Sequence, residues 1–244
     1  MVNKISDRVV KIRMRWFFLT AVGLTCVLLI ASQMALPGVF EEFMMDGLIA
    51  SIEETGSVDL QVTAYPALKM FWGRFDYLKA DGTDIVIGNI PVSQIFFEIS
   101  GLTLDSKKLI TKRTLEVRSL KGGNMTLLLT EEGINNYFYG LNDSFDRFHI
   151  DLSDNIPKVI GNVEILGIKL DIRVEGRFII ENSTKIKFIA DKLVVENTQV
   201  PCLLINQLMN ELDLTLDLGK IPLPLKVRDV KVEENNMLII SEVR

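Results

Sequence analysis

WFFLTAVGLTCVLLIASQMAL, the stretch from Trp16 to Leu36, contains no charged residue and decides how the rest of the chain is organised. Its 21 residues would form a helix of about 31 Å, long enough to cross the hydrocarbon core of a bilayer. Five basic residues precede it, namely Lys4, Arg8, Lys11, Arg13 and Arg15. Because cytoplasmic flanks are rich in Lys and Arg, we predict that residues 1–15 are cytoplasmic, residues 16–36 form a transmembrane signal anchor, and residues 37–244 form an exported domain.

A cleaved signal peptide is the alternative interpretation of this N-terminus, because it also combines a basic start with an apolar core. The apolar run is longer than the ~7 to 15 residues of a signal-peptide core. Its end, Ala31-Ser32-Gln33-Met34-Ala35, offers no clean small-x-small cleavage site. These two features favour an uncleaved anchor, and under either interpretation the following domain is exported.

The charge of the chain is distributed unevenly and limits the partners of the exported part. The whole chain has a formal net charge of -5, whereas residues 1–15 carry +4, so the remainder carries about -9. Such a surface repels phosphate backbones, and we therefore expect no nucleic-acid partner. It also gains little from anionic head groups, so any affinity for lipid must come from apolar contact.

Apolar periodicity beyond the anchor predicts one helix followed by many strands. The spacing of apolar residues predicts a helix that begins near Pro37 and ends near Gly56. From Val58 to Ala64 apolar and polar residues alternate, a pattern typical of a half-buried strand. Two more helices are predicted, one capped by Thr130 and one opened by Pro201. Further strands are predicted at 74–80, 85–87, 95–99, 102–105, 114–120, 124–129, 158–166, 168–175, 177–181, 185–190, 223–233 and 237–243. The fold class is therefore α+β with a mainly antiparallel sheet.

The inventory of catalytic and metal-binding side chains is thin. The chain has one histidine, His149, and two cysteines, of which Cys26 lies in the apolar stretch. Zinc sites use several Cys or His ligands, and the chain contains no nucleophile elbow, phosphate loop or dinucleotide-binding turn. We therefore expect no catalytic residue, no metal and no cofactor. An envelope hydrolase with paired carboxylates stays an alternative, and it would require two acidic residues that converge in a polar cleft.

Four phrases of the sequence resemble a known family when they are taken in order. They are WGRFDYL at 72–78, GNMTLLLTEEGIN at 123–135, IGNVEILG at 160–167 and LGKIPLPLKVRDV at 218–230. Together they resemble the LmeA-like phospholipid-binding family of bacterial exported proteins, and the likeness covers most of residues 40–244. The resemblance supplies no catalytic residue. It implies a tubular lipid-binding architecture, in which a curved sheet wraps against a few helices and an apolar groove holds acyl chains.

The resemblance directs attention to the apolar side chains that could line such a groove. Our candidates are Phe40, Phe43 and Leu48 on the first helix, with Leu204 and Leu208 on the last. Three further lipid-binding candidates are Phe71 and Trp72, in a loop that could touch the membrane or form the mouth of the groove, and Phe138 on the helix after Thr130. For each of these residues, ordinary core packing is the alternative interpretation.

Taken together, these features predict a membrane-anchored extracytoplasmic protein. Its expected partners are a bilayer and a phospholipid or related envelope lipid, which it would bind for storage, sensing or transfer. The alternative is a non-enzymatic structural or adaptor protein of the cell envelope that binds a protein partner. A continuous groove deep enough for an acyl chain would favour the first interpretation, and a filled interior would favour the second.

Overall fold

The computed structural model describes residues 3–50, 54–141, 147–165, 168–195, 198–199, 214–221 and 223–244. Leu204 and Leu208, with the helix predicted from Pro201, lie outside these described residues. Within them, a long N-terminal helix precedes two antiparallel sheets and a few short helices. The α+β class with curved antiparallel sheet is confirmed, and the strands form two sheets.

The first helix, α1, runs without interruption from Asn3 to Ile49 and contains Pro37. The sequence suggested a new helix at Pro37, but one lost backbone hydrogen bond does not end a helix whose later turns are held in the core by Phe40 and Met44. The predicted end near Gly56 is wrong. Gly56 lies in the first strand, where a Cβ atom would stand 2.5 Å from the carbonyl oxygen of Thr83, so the residue permits close strand pairing.

The described residues form thirteen strands, all paired antiparallel. In chain order they are β1 Glu54–Thr63, β2 Arg74–Ile87, β3 Ile90–Leu104, β4 Val117–Ser119, β5 Gly122–Thr130, β6 Phe148–Asp151, β7 Lys158–Ile165, β8 Ile168–Ile180, β9 Lys185–Val195, β10 Thr198–Gln199, β11 Thr215–Asp217, β12 Leu225–Glu233 and β13 Asn236–Val243. The first sheet has seven strands in the order β1-β2-β3-β5-β13-β12, with β4 on β3. The second has six, in the order β10-β9-β8-β7-β6, with β11 on β9.

Several strands are longer than their sequence patterns predicted. Residues 74–80 and 85–87 belong to the single strand β2, which pairs through Gly82 with both Val58 of β1 and Ile95 of β3. β3 and β8 likewise each join two predicted strands into one. In β8 a bulge at Gly176 interrupts the register without ending the strand. Residues that usually mark turns are tolerated here because at least one neighbouring strand continues to pair beyond them: β1 and β3 beyond Gly82, β2 beyond Gly101, and β9 beyond Gly176.

Four short helical segments complete the described fold, one of them a single 3-10 turn at Leu218–Lys220. A 3-10 helix spans Ala67–Trp72, α2 spans Ser106–Lys112 and α3 spans Glu131–Leu141. As predicted, Thr130 caps α3, and its hydroxyl oxygen accepts a hydrogen bond of 3.1 Å from the N–H of Gly133. The last three turns of α1 pack on β1 and on the 3-10 helix, which places one end of α1 against the first sheet.

Candidate functional site

An apolar cavity lies between the last turns of α1 and the inner face of the first sheet. Its empty space is about 970 Å³, which includes the part that is open to solvent. Inward-facing residues of three strands form most of its wall, namely Val58, Leu60, Leu78, Ala80, Ile85, Ile87, Ile95, Phe97, Ile99, Leu102 and Leu104. Strand alternation explains this composition, because every second residue of a strand faces the same side of its sheet.

The remaining wall comes from segments that are distant in sequence. Met44 and Leu48 belong to α1, and the others are Leu115, Val117, Ile221 and Leu223. Asp81 is the one charged residue among the described residues of the wall, and its side chain is exposed at the edge. The described wall therefore offers the interior methyl and methylene groups and no charged partner, which suits an apolar guest.

Five of the wall residues are only half-buried, and they mark where the cavity meets solvent. They are Leu48, Val58, Leu115, Val117 and Leu223. Leu115 lies beside the last turns of α1, because a Cβ atom on Gly47 would stand 3.0 Å from its Cγ. The opening thus runs along the end of α1, where the helix and the segment between α2 and β4 approach closely.

Aromatic packing closes the space between α1 and the 3-10 helix. Phe40 is 1% exposed, and its ring meets Phe43, Phe71 and Phe75 edge to face at centroid distances of 5.8, 5.7 and 5.9 Å. The guanidinium of Arg113 lies 3.4 Å from the centroid of the Phe43 ring, a cation-π contact. This part of the helix is filled by aromatic side chains, in contrast to the cavity one to two turns further along.

The structure brings only some of the predicted lipid-binding residues together. Leu48 lies on the cavity wall, and Phe40 and Phe43 pack one to two turns before it on α1. Phe71 and Trp72 lie on the 3-10 helix, and their exposed fractions are 50% and 68%. Phe138 is buried on α3 beside Tyr137 and is not among the described residues of the wall.

Most of the wall was missed as a site, although the sequence carried a signal for it. The alternation from Val58 to Ala64 identifies Leu60 as an inward residue, and Leu78, Ile95 and Ile99 occupy similar positions on β2 and β3. The same pattern describes a packed core, so alternation alone does not reveal that a space is left open.

Hydrogen bonds attach α1 to the free edge of β1. The side-chain amide of Gln33 donates to the carbonyl of Ala64 and accepts from the N–H of Ala67, both at 2.9 Å. Eight residues further along α1, the carboxylate of Glu41 accepts a hydrogen bond of 3.0 Å from the N–H of Val62. β1 is the edge strand of the described first sheet, so Glu41 pairs a backbone N–H of that edge strand, and Gln33 pairs two backbone groups in the segment that follows β1.

The segment that Gln33 hydrogen-bonds is also bonded by Asp76, near the start of β2. Its carboxylate accepts hydrogen bonds from the N–H of Tyr65, at 2.6 Å, and from the ammonium of Lys69, at 3.2 Å. These bonds lower the pKa of Asp76 from its ordinary value, chiefly through Tyr65 and secondly through Lys69. The segment from Tyr65 to Trp72 is therefore fixed both to α1 and to the sheet.

Composition and length distinguish α1 from every other described helix. Among the described residues it is the one helix that is long and apolar enough to cross a membrane, with a mean hydropathy of 2.0 over its most apolar part. None of that part is buried against the domain. Within the same residues, no group of three or more His, Cys, Asp or Glu side chains could hold a metal ion.

Comparison with known families agrees with this apolar site. A model of the family described as LmeA-like phospholipid-binding matches residues 46–242. The chain belongs to the LmeA-like phospholipid-binding family. The resemblance noted in four short phrases is thereby confirmed, and the region that matches the LmeA-like family contains every described wall residue of the cavity except Met44. Comparison with curated proteins and comparison with solved structures each returned no match.

Proposed function

We propose that this LmeA-like protein is a membrane-anchored, extracytoplasmic protein that buries an acyl chain of a phospholipid or related envelope lipid in its cavity. The observation that carries the proposal is an apolar cavity whose wall, among the described residues, has one charged member, Asp81, which lies exposed at the edge. Binding of this kind serves lipid storage, sensing or transfer. It needs no catalytic group, metal or cofactor, because the guest is held by burial alone.

The energetics favour an acyl chain over a polar guest. Each methylene transferred from water to an apolar site contributes about 0.8 kcal/mol, so about ten methylenes contribute about 8 kcal/mol before the costs of ordering the chain. A charged head group would lose its hydration inside this wall without gaining a partner. We therefore place the acyl chain inside, and the head group outside the half-buried residues of the opening.

The character of α1 supports the anchoring part of the proposal. Its apolar side chains face outward, for example Trp16 at 68% exposed and Met34 at 82% exposed, and such surface is stable only when lipid covers it. Basic residues precede the apolar stretch, which favours a cytoplasmic N-terminus and an extracytoplasmic domain. The uncleaved helix would then hold the cavity beside the membrane from which its lipid comes.

Photo-crosslinking of the full chain in proteoliposomes tests the proposal. The probe is a phosphatidylcholine with a diazirine near the end of one acyl chain, and adducts are mapped by peptide mass spectrometry. We expect adducts on wall residues of β2 and β3, for example Leu78 and Ile95. Leu48→Asp should abolish those adducts, because it places a charge on the wall of the cavity at its opening.

Ile49→Asp is the matched control, because Ile49 is the next residue of α1, is 46% exposed and is not among the described wall residues. It should keep the adducts on β2 and β3. Adducts confined to residues 16–36 of the wild-type protein would overturn the proposal. That result, with the domain folded, would favour the alternative of an envelope adaptor that binds a protein partner.

A further inference from the structure

Three aromatic side chains stand out on the surface of the domain beside α1. Tyr65 is 78% exposed, Trp72 is 68% exposed and Phe71 is 50% exposed. We call these three residues the aromatic foot. All three lie in the segment from Tyr65 to Trp72, whose one charged residue is Lys69. The ammonium of Lys69 lies 3.2 Å from the carboxylate of Asp76. The foot therefore presents large apolar area with its local charge neutralised.

The depth of the foot follows from its attachment to α1. Gln33, which bonds the backbone at both Ala64 and Ala67, lies 17 residues after Trp16, or about 26 Å along the helix. The hydrocarbon core of a bilayer is about 30 Å thick. If Trp16 marks the inner boundary of the hydrocarbon core, the backbone that Gln33 hydrogen-bonds lies within about 5 Å of the outer boundary.

Charge along α1 supports the same placement. After Arg15 the first charged residue of the helix is Glu41, and Glu41 is the residue that accepts a hydrogen bond from Val62 of β1. In the turns just before Glu41, Phe40 is buried, whereas Met34 and Val39 are exposed. The foot thus lies beside the last uncharged turns of the apolar helix, where bilayer and water meet.

We propose that the aromatic foot inserts into the outer interface of the bilayer that α1 spans, as a second membrane contact that fixes the orientation of the lipid-binding domain. Tyr and Trp favour this interface because an apolar ring and a polar group are satisfied there together. The foot is rigid, since Phe71 packs on Phe40 at 5.7 Å and Asp76 holds the N–H of Tyr65. The inference rests on the membrane span of the proposed function, and it does not rest on the cavity.

Two membrane contacts would also fix the height of the cavity above the bilayer. Met44 and Leu48 lie 11 and 15 residues beyond Gln33, which is roughly 16 to 22 Å further along the helix. The foot and the helix together would hold the cavity at that height above the membrane. A single helix without the foot would let the domain tilt about its anchor.

Tryptophan fluorescence tests the inference directly, because the chain has only two tryptophans, Trp16 and Trp72. Trp16→Phe leaves Trp72 as the sole emitter in the full chain. The protein is reconstituted into vesicles of phosphatidylcholine, either unmodified or brominated near the carbonyl ends of the acyl chains. Bromine quenches an indole by close contact. We expect the brominated lipid to reduce the emission of Trp72 roughly twofold or more, because an interfacial tryptophan lies beside the carbonyl ends of the acyl chains.

The matched control is Ile156→Trp in a chain that also carries Trp16→Phe and Trp72→Phe. Ile156 is 51% exposed, and its neighbour Asn155 accepts a hydrogen bond of 3.1 Å from the N–H of Glu234 in the β12–β13 turn. That turn lies beside the end of β5 at Thr130, whereas the foot precedes the start of β2, and β5 and β2 run in the same direction. The control tryptophan is therefore at the opposite end of the sheet and should not be quenched.

Flotation of the vesicles separates the outcomes. Protein that floats with the vesicles and shows quenching of Trp72 above the control supports the foot. Protein that floats but shows equal emission from Trp72 in both lipids overturns the foot and leaves the proposed function standing. Protein that does not float overturns the span, and with it both the foot and the anchoring part of the proposed function.

Discussion

Asn135 of α3 and Ile150 of β6 exchange two hydrogen bonds within the core. The side-chain amide of Asn135 donates to the carbonyl of Ile150 at 2.8 Å, and its oxygen accepts from the N–H of Ile150 at 2.7 Å. The amide also donates to the carbonyl of Glu131 at 2.9 Å. Because α3 packs on the first sheet and β6 belongs to the second, this pair couples the two sheets.

Replacing Asn135 with leucine should therefore destabilise the whole domain. The backbone groups of Ile150, a residue that is 0% exposed, would lose their partners, at a cost of roughly 2 to 5 kcal/mol in the free energy of unfolding. Asn136→Leu, on the next and exposed residue of α3, should cost far less. Urea titration of the full chain in detergent micelles, followed by circular dichroism, measures both. Equal effects would show that helix propensity, and not the bond to β6, is responsible.

Filling the cavity should affect lipid binding and stability in opposite ways. Ala80 lies on the cavity wall and is 2% exposed, so Ala80→Leu places new methyl groups in empty space. We expect unchanged or higher stability of the lipid-stripped protein and fewer phospholipids retained in native mass spectra. Ala67→Leu is the control, because Ala67 is 0% exposed and lies away from the described wall, and overpacking there should cost about 1 to 3 kcal/mol. A similar cost at both positions would argue that the space is not available.

The sequence carried enough information for the fold class and for part of the wall. The alternation at Leu60 and its neighbours predicts an inward face, and the cap at Thr130 predicts α3. Strand lengths were underestimated because Gly82 and Asp81 resemble a turn, whereas pairing with Val58 and Ile95 on both sides carries β2 through them. Long-range strand pairing overrides the local turn propensity here, and such pairing is not visible in a single sequence.

The cavity itself depends on relationships that no local pattern encodes. Leu48, Leu115 and Leu223 come from three distant segments to line its opening, and in the sequence each looks like an ordinary apolar residue. Helix α2, which precedes Leu115, was missed because its seven residues contain little apolar periodicity and depend on the cap at Asp105. Whether an apolar interior is filled or open is decided by the summed volumes of these side chains.

Acid should weaken the hold of the domain on the Tyr65 loop. The pKa of Asp76 is lowered in the folded protein from its ordinary value of 3.8, so its stabilising contribution is present above that value and is lost as the pH falls through the lower folded value. The difference in free energy of unfolding between wild type and Asp76→Asn should therefore be largest at neutral pH and shrink below about pH 4. Urea titrations at several pH values measure this difference. Lys69→Met should keep most of the pH dependence, because the N–H of Tyr65 is the larger cause. A difference that is constant with pH would contradict the assignment.

The hydrogen bonds of Gln33 should matter more for the position of the foot than for insertion of the helix. Gln33→Leu makes the apolar stretch more hydrophobic, yet it leaves the carbonyl of Ala64 and the N–H of Ala67 without their partner on α1. In the Trp16→Phe background we expect vesicle flotation to be retained and quenching of Trp72 by brominated lipid to become weaker. Met34→Leu is the control, because Met34 is the next residue and is 82% exposed, so its replacement leaves both hydrogen bonds in place. If Gln33→Leu left the quenching unchanged, the packing of Phe71 on Phe40 would be sufficient to position the foot, and the polar contact would contribute only to stability.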